Sequence, residues 1–182
     1  MAVNTQIQED TGMFFITFTC QNWLPLFEIT NSYDVVYKWF DHLDSNGHKV
    51  KAYVTMPNHL HVIIEFKKVP KSINTIISNA KRFMAYEIVE RLKEQKNNQL
   101  LIKLSEAVNR SDEKRGKLHQ VFERSFDCKP ITNNYFFEQK LNYIHNNPCS
   151  GVWKLVESPI EYSHSSAKYY LTGGQGFYEI KE

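Results

Sequence analysis

Two histidines, His59 and His61, are separated by one apolar residue and follow a Pro57-Asn58 turn signal between two β-like segments. Residues two apart on a strand point to the same face, so both imidazoles would lie together while Leu60 points into the core. A pair of neutral imidazoles on one face could form half of a divalent-cation site. Surface histidines and hydrogen-bonded core histidines produce the same pattern, and the pair alone does not separate these alternatives.

A second group of polar residues comes much later, where Tyr143-Ile144 is followed by Asn146-Asn147-Pro148. Two further motifs flank this stretch along the chain. Met56-Pro57-Asn58-His59-Leu60-His61 comes before it, and Tyr162-Ser163 with Ser165-Ser166-Ala167 comes after it. In this combination the chain resembles the single-tyrosine HUH transposases of the insertion-sequence 200-like family, and most closely the REP-associated tyrosine transposases. The resemblance covers nearly the whole chain, and the ordered set is far more specific than any one motif.

The resemblance implies a site in which Tyr143 is the nucleophile and His59, His61 and Asn147 hold Mg²⁺ or Mn²⁺. Residues four apart share a helix face, so Tyr143 and Asn147 can both face the metal, and an amide oxygen is a hard ligand suited to these ions. Gln139, one turn before Tyr143, is the alternative third ligand because Asn147 lies at a helix end. A tyrosine packed in a helix with a solvated hydroxyl is the competing interpretation of Tyr143.

The implied reaction is cleavage and rejoining of single-stranded or hairpin-forming DNA through a 5′-phosphotyrosine and a free 3′-OH. It needs no nucleotide cofactor, and no Gly-rich phosphate loop is present in the sequence. Two other functions remain open from the residues alone. One is a domesticated protein that binds hairpin-forming single strands without cutting them, and the other is a metal-dependent hydrolase of small phosphoesters. The family includes monomers and homodimers, so we expect one of these two states.

Four basic residues are candidate DNA contacts. Lys81 and Arg82 lie beside an apolar helical stripe, and Arg124 and Lys129 flank an expected edge strand. Such residues also form ordinary solvated helix and strand faces.

The composition is typical of one soluble domain, with 182 residues, 42% hydrophobic and 23% charged. A net charge of +2 is too small for a diffuse basic field, so any DNA contact needs local patches. Three cysteines without CxxC spacing argue against a disulfide framework or zinc ribbon. Residues 1–10 show no signal-peptide pattern, and no apolar run is long enough to cross a membrane, so we expect a cytoplasmic protein without membrane contact.

The hydrophobic patterns predict an α+β protein in which an antiparallel sheet carries helices on one face. We expect strands at 13–20, 49–55, 59–66 and 118–126, and helices at 35–43, 73–88, 100–108 and 134–146, with Asn46-Gly47 stopping the first helix. The predicted caps are Asn31 or Ser32, Ser72, and Thr132 or Asn133, and Pro148 ends the last helix. The resemblance implies a ferredoxin-like sheet with the histidines on a central strand. It divides the chain into a catalytic domain, 1–148, and a C-terminal tail, 149–182, packed on it.

Overall fold

The computed structural model describes residues 11–68, 72–151 and 154–181. Its sheet contains four strands: β1 (Gly12–Thr19), β2 (Lys49–Thr55), β3 (His59–Phe66) and β4 (Asp127–Pro130). The strand order is β2-β3-β1-β4, and all neighbours are antiparallel. Two interleaved β-α-β crossovers produce this order, which is that of a ferredoxin-like sheet. The α+β fold class is therefore confirmed, and β3 is a central strand.

Seven α-helices lie within the described ranges, and we number them in chain order. They are α1 (Leu26–Ile29), α2 (Tyr33–Ser45), α3 (Ile73–Glu94), α4 (Asn98–Glu106), α5 (Arg110–Glu113), α6 (Asn134–Asn146) and α7 (Ala167–Thr172). Short 3-10 turns occupy Gln21–Trp23, Asn147–Cys149 and Pro159–Glu161. The Ser72 hydroxyl accepts a hydrogen bond from the Thr75 N–H, so Ser72 caps α3 as predicted. Pro70 and Lys71, which precede this cap in the sequence, lie outside the described residues.

The two faces of the sheet are both apolar. On one face Phe14, Ile16 and Phe18 of β1 are buried beneath the crossover helices α2 and α3. On the other face Phe15 and the buried Ile63 belong to a second cluster, which α6 covers with its apolar side chains. The expectation of helices on one face therefore holds for the two crossover helices, whereas α6 packs on the opposite face. A sheet that is apolar on both sides needs a cover on both sides.

The predicted strand at 118–126 is wrong, because the fourth strand begins at Asp127. The apolar residues of this segment serve burial rather than strand pairing, since the adjacent Val121 and Phe122 both insert into the core. Its backbone hydrogen bonds go to scattered partners, with the Gln120 N–H donating to the Leu104 carbonyl 2.8 Å away. In place of a strand ladder, this segment forms one isolated β-bridge, between Cys20 and Phe122.

The chain after α6 runs along the free edge of β2. The Thr55 N–H donates to the His164 carbonyl at 2.9 Å, and the Ser166 N–H donates to the Tyr53 carbonyl at 2.9 Å. Tyr162 donates its hydroxyl to the Thr55 carbonyl at 2.8 Å. The edge of β2 is thus covered by the same chain, which removes an exposed pairing edge. None of the helices in the described ranges combines the length and apolar character needed to cross a membrane.

Candidate metal and tyrosine site

His59 and His61 lie side by side on the face of β3 that α6 covers. Their ring centroids are 4.7 Å apart, and the two side chains are 6% and 5% exposed. Leu60, between them, is fully buried in the cluster on the opposite face. The two-residue period of the strand therefore brings both imidazoles to one place.

Hydrogen bonds fix the orientation of both rings. The Nδ1 atom of His59 is 2.6 Å from Oδ1 of Asn58, and Asn58 in turn donates its Nδ2 to the Trp23 carbonyl at 3.2 Å. That second bond sets the amide orientation, so Asn58 presents an acceptor and His59 donates Nδ1–H. The Nδ1 atom of His61 is 2.6 Å from the Thr17 hydroxyl. Both orienting bonds are made by Nδ1 atoms, so the Nε2 atom of each ring remains for other contacts.

Asn147, in the turn that ends α6, places its Oδ1 atom 3.1 Å from Nε2 of His59. With the proton of His59 on Nδ1, its Nε2 atom presents a lone pair to the Asn147 amide. Burial lowers the pKa of His59 to about 4, although the contact with Asn147 opposes this shift. Burial, followed by the nearby His59 and Lys140, lowers the pKa of His61 well below its usual value. Both rings are neutral at pH 7, which is the form that binds metals.

The donor set fits Mg²⁺ or Mn²⁺. Two ligands at right angles on a cation about 2.1 Å away lie about 3.0 Å apart, and the His59–Asn147 separation is 3.1 Å. Among the described residues no three His, Cys, Asp or Glu side chains come together as a metal site. The site therefore offers two imidazoles and one amide, and leaves room for oxygens of a substrate. The alternative ligand Gln139 is exposed on α6, and no contact within the described residues joins it to either histidine.

Tyr143 projects from α6 beside this donor set. Its ring centroid is 5.0 Å from that of His61 and 6.0 Å from that of Phe15, and the side chain is 50% exposed. Phe15 stacks on His61 with centroids 5.5 Å apart, so it supports both rings. The Tyr143 hydroxyl takes part in no hydrogen bond within the described residues. The four-residue spacing thus brings Tyr143 and Asn147 to the same site, with the phenol accessible to a substrate.

The structure also places residues at the site that sequence reasoning did not select. Lys140 lies on α6 one turn before Tyr143, with its Nζ 5.6 Å from the Tyr143 ring centroid. Trp23 is 59% exposed, and its ring centroid is 5.7 Å from that of His59. Lys140 precedes Tyr143 by three residues, and residues at this spacing share a helix face, so the sequence could have indicated Lys140. No sequence signal indicated Trp23, because its position depends on the contact of Asn58 with its carbonyl.

His145 faces away from the metal donors, as its spacing from Tyr143 predicts. It is 4% exposed, and its Nε2 atom is 3.0 Å from the Ser166 hydroxyl. Burial lowers the pKa of His145 to about 4. This histidine therefore links α6 to the segment along β2.

The four candidate DNA contacts separate into two places. Lys81, Arg82 and Arg124 line a groove of about 940 Å³ between α3 and residues 112–124, and α3 packs on the sheet face opposite the histidines. Burial lowers the pKa of Lys81 to about 8, and its ammonium donates to the carbonyls of residues 123, 124 and 125 at 2.7, 3.3 and 3.2 Å. Arg124 is paired with Asp112 at 2.9 Å.

Lys129 lies on the other side of the molecule. It is directly opposite Phe15 in the β1–β4 register, and opposed residues project to the same face of a sheet. Lys129 therefore shares the face that carries Tyr143 and the histidines, whereas the three groove residues do not.

Comparison with solved structures shows the fold. A REP-associated tyrosine transposase bound to a REP hairpin matches 100% of this chain and 93% of its own, with a TM-score of 0.60 and 14% identity. A presumed transposase from Deinococcus radiodurans R1 matches 80% of this chain and 97% of its own, with a TM-score of 0.39 and 11% identity. No protein-family model matches the sequence. No curated protein matches it either.

Proposed function

We propose that this chain is a metal-dependent single-tyrosine transposase, which cuts single-stranded DNA and joins the cut end to another strand. The observation that carries the proposal is the convergence of two imidazoles from β3 with an amide and a solvent-accessible phenol from α6. A protein that only bound DNA would have no need for a neutral, hydrogen-bond-oriented histidine pair beside an exposed tyrosine. The shared fold with a REP-associated tyrosine transposase supports the same function.

In the proposed step Tyr143 gives up its phenolic proton to solvent and its oxygen attacks a DNA phosphorus. The bond from phosphorus to the 3′-oxygen breaks, the leaving oxygen takes up a proton as a 3′-OH, and the 5′-phosphate stays on the tyrosine. A free 3′-OH can then attack the phosphotyrosine and release Tyr143. The covalent link retains the energy of the phosphodiester, so no ATP is consumed.

His59, His61 and Asn147 would hold Mg²⁺ or Mn²⁺ beside Tyr143. Bound there, the ion supplies a Lewis acid for phosphate oxygens. The protein contributes the orientation of the donors: Asn58 fixes the proton of His59 on Nδ1, and the Thr17 hydroxyl fixes the ring of His61. The ring centroid of the half-exposed Tyr143 lies 5.0 Å from that of His61, so the phenol can approach a phosphate held at the donors.

We propose single-stranded or hairpin-forming DNA as the substrate. Trp23 would stack on a base next to the cleaved phosphate, because its exposed ring lies beside His59. The backbone supports a functional role for this position, since Asn22 and Trp23 both have positive φ angles, 52° and 57°. Residues held in this region of backbone space cluster at active sites and ligand clamps. The solved neighbour of the same fold was bound to a REP hairpin.

A covalent-adduct assay tests the proposal. The protein would be mixed with Mn²⁺ and single-stranded DNA from the flanks of its own gene, and then separated on a denaturing gel. We expect a shifted, protease-sensitive band that disappears with chelator and in Tyr143→Phe. The matched control is Tyr135→Phe, which removes the hydroxyl of another exposed tyrosine of α6 and should retain the band.

The other outcomes separate the alternatives. Firm binding of hairpin DNA without an adduct would contradict the transposase function and favour a non-cleaving binding protein. Hydrolysis of a small phosphodiester by Tyr143→Phe at the wild-type rate would instead favour a hydrolase in which the tyrosine is idle.

A further inference from the structure

The ammonium group of Lys140 lies directly beside the proposed nucleophile, Tyr143. Its Nζ atom lies 4.8 Å from the ring centroid of Phe15, 5.2 Å from that of Phe136 and 5.6 Å from that of Tyr143. Three rings within this distance hold an ammonium by cation–π attraction and limit the directions in which it can move. The charge of Lys140 is therefore fixed close to Tyr143 rather than dispersed in solvent.

Within the described residues, no carboxylate forms an ion pair with this ammonium. Other lysines of the described ranges, such as Lys49 and Lys51, pair with carboxylates at 2.9 and 3.1 Å, whereas none of the ion pairs there includes Lys140. Burial, followed by the charge of Lys129, lowers the pKa of Lys140 below its usual value. A cation that is partly desolvated and lacks a counter-ion is favourable for binding an external anion.

Lys129 supplies a second positive charge at the same place. It lies opposite Phe15 in the sheet register, and Phe15 is the ring that contacts both Lys140 and Tyr143. Two like charges that repel each other gain attraction to any anion placed between or beside them.

We propose that Lys140, assisted by Lys129, binds the non-bridging oxygens of a phosphodiester and holds it against the Tyr143 hydroxyl. The inference rests on the proposed function, because it identifies that phosphodiester as the one Tyr143 attacks. Lys140 binds the negative charge of the phosphate beside Tyr143 on α6, while the histidines face it from β3 and Asn147 from the end of α6. Lys140 is then a catalytic residue that contacts the substrate, and Lys129 strengthens the field.

A binding experiment tests the anion site without requiring cleavage. Dimethyl phosphate would be titrated, in the absence of metal, into protein carrying ¹³C-labelled tyrosine rings, with the Tyr143 signal assigned from Tyr143→Phe. We expect the Tyr143 signal to shift in the wild type and to stay unchanged in Lys140→Met, which keeps the aliphatic stem over the rings. The matched control Lys103→Met, on the exposed face of α4, should shift like the wild type.

A kinetic experiment then asks whether the bound phosphate is the reacting one. On DNA with an ordinary phosphodiester we expect Lys140→Met to slow adduct formation roughly 10- to 100-fold, the range for losing one hydrogen bond to a charged group, with partial recovery in Lys140→Arg. On DNA with an uncharged methylphosphonate at the cleavage position, the wild type and Lys140→Met should react at equal rates, because no phosphate charge remains for Lys140 to bind.

The two experiments fail in different ways. A dimethyl phosphate shift of Tyr143 that persists in Lys140→Met overturns the anion site, and so does an undiminished rate of adduct formation in that variant. Phosphate binding that depends on Lys140, in a protein that forms no adduct with any DNA, would preserve the anion site and contradict the transposase function alone.

Discussion

The Nε2 atom of His59 faces the Oδ1 atom of Asn147 at 3.1 Å, and this contact joins β3 to the end of α6 across 88 positions of sequence. Because Asn58 accepts the Nδ1 proton of His59, the Nε2 atom that faces the Asn147 amide carries a lone pair. Burial lowers the pKa of His59 to about 4, so this atom is unprotonated at neutral pH. It is therefore available to the divalent cation that we propose at this site.

The first prediction concerns this pair. We expect the wild type to bind one Mn²⁺ and Asn147→Ala to bind it roughly 10- to 100-fold more weakly, because one donor is lost. Asn147→Asp should bind Mn²⁺ more tightly than the wild type, since a carboxylate replaces an amide at the same reach. Calorimetric titration of the three proteins measures the affinities.

The control for this prediction is Asn146→Ala, which changes the exposed neighbour on α6 and should bind Mn²⁺ like the wild type. Equal Mn²⁺ affinity in Asn146→Ala and Asn147→Ala would show that the amide of residue 147 is not a ligand. Gln139→Ala would then be the next variant to measure.

Trp23 carries the second prediction. Removing its ring in Trp23→Ala should weaken binding of single-stranded DNA roughly 5- to 100-fold, the range for losing one stacked base, whereas Trp23→Phe should lose less. Fluorescence anisotropy of a labelled oligonucleotide measures the affinity in the presence of chelator, so that cleavage does not interfere. Trp23→Ala with wild-type affinity would exclude stacking at this position.

The backbone at Trp23 allows stability to be separated from binding. A non-glycine residue in the left-handed region costs about 1–2 kcal/mol, and Trp23 has a φ of 57°. Trp23→Gly should therefore have a free energy of unfolding about 1 kcal/mol higher than Trp23→Ala, while both variants bind DNA equally weakly. Urea unfolding of the two variants makes the comparison.

Sequence pattern was sufficient for the two central strands. The strands with His59 and Phe14 are rich in apolar residues because both faces of the sheet are covered, and their predicted bounds match β3 and β1 closely. Val121 and Phe122 are apolar for a different reason, since both residues enter the core from an irregular segment. Local pattern could not distinguish these cases, because the difference lies in where the backbone N–H groups find partners.

The candidate site shows the same division. The pairing of His59 with His61, and of Tyr143 with Asn147, follows from strand and helix periods that are local in sequence. The position of α6 on the second face of the sheet, and the arrival of Trp23 beside His59, depend on contacts between distant segments. Such contacts produce no periodic pattern in the sequence, so local periodicity could not predict them.

Gly176 carries the third prediction. A Cβ atom there would lie 2.7 Å from the Ser165 carbonyl oxygen and 2.9 Å from that of Ser163, and these are backbone atoms that cannot swing away. Gly176→Ala should lower the free energy of unfolding by about 1–3 kcal/mol and speed hydrogen exchange at the Thr55 amide, which donates to the segment along β2. Thermal unfolding and amide exchange measure the two effects.

The control is Gly174→Ala. Its Cβ would meet the flexible Lys168 side chain at 3.1 Å, and that side chain can move aside at small cost. If both glycine variants unfolded at the wild-type temperature, the close approach of the segment at Gly176 would carry no part of the stability.

The last prediction concerns His164, whose carbonyl pairs with β2 and whose ring stacks on Tyr33 with centroids 3.7 Å apart. Its Nδ1 atom is 2.6 Å from the Tyr37 hydroxyl, and burial lowers the pKa of His164 from 6.5 to about 4. The unfolded chain therefore binds a proton at this residue between these two pH values while the folded chain does not. Stability from His164 is complete above pH 6.5 and declines as the pH falls to about 4.

The variant that isolates this effect is His164→Gln, whose side chain can accept a hydrogen bond from the Tyr37 hydroxyl but does not titrate. Because the ring is partly exposed, we expect the loss of unfolding free energy across this pH interval to be about 1–2 kcal/mol smaller in His164→Gln than in the wild type. Urea unfolding at several pH values measures it, with His42→Gln on the exposed side of α2 as the control. Parallel pH profiles for His164→Gln and the wild type would mean that His164 is not held neutral by its burial, because a histidine buried in the neutral form must steepen the acid side of the profile.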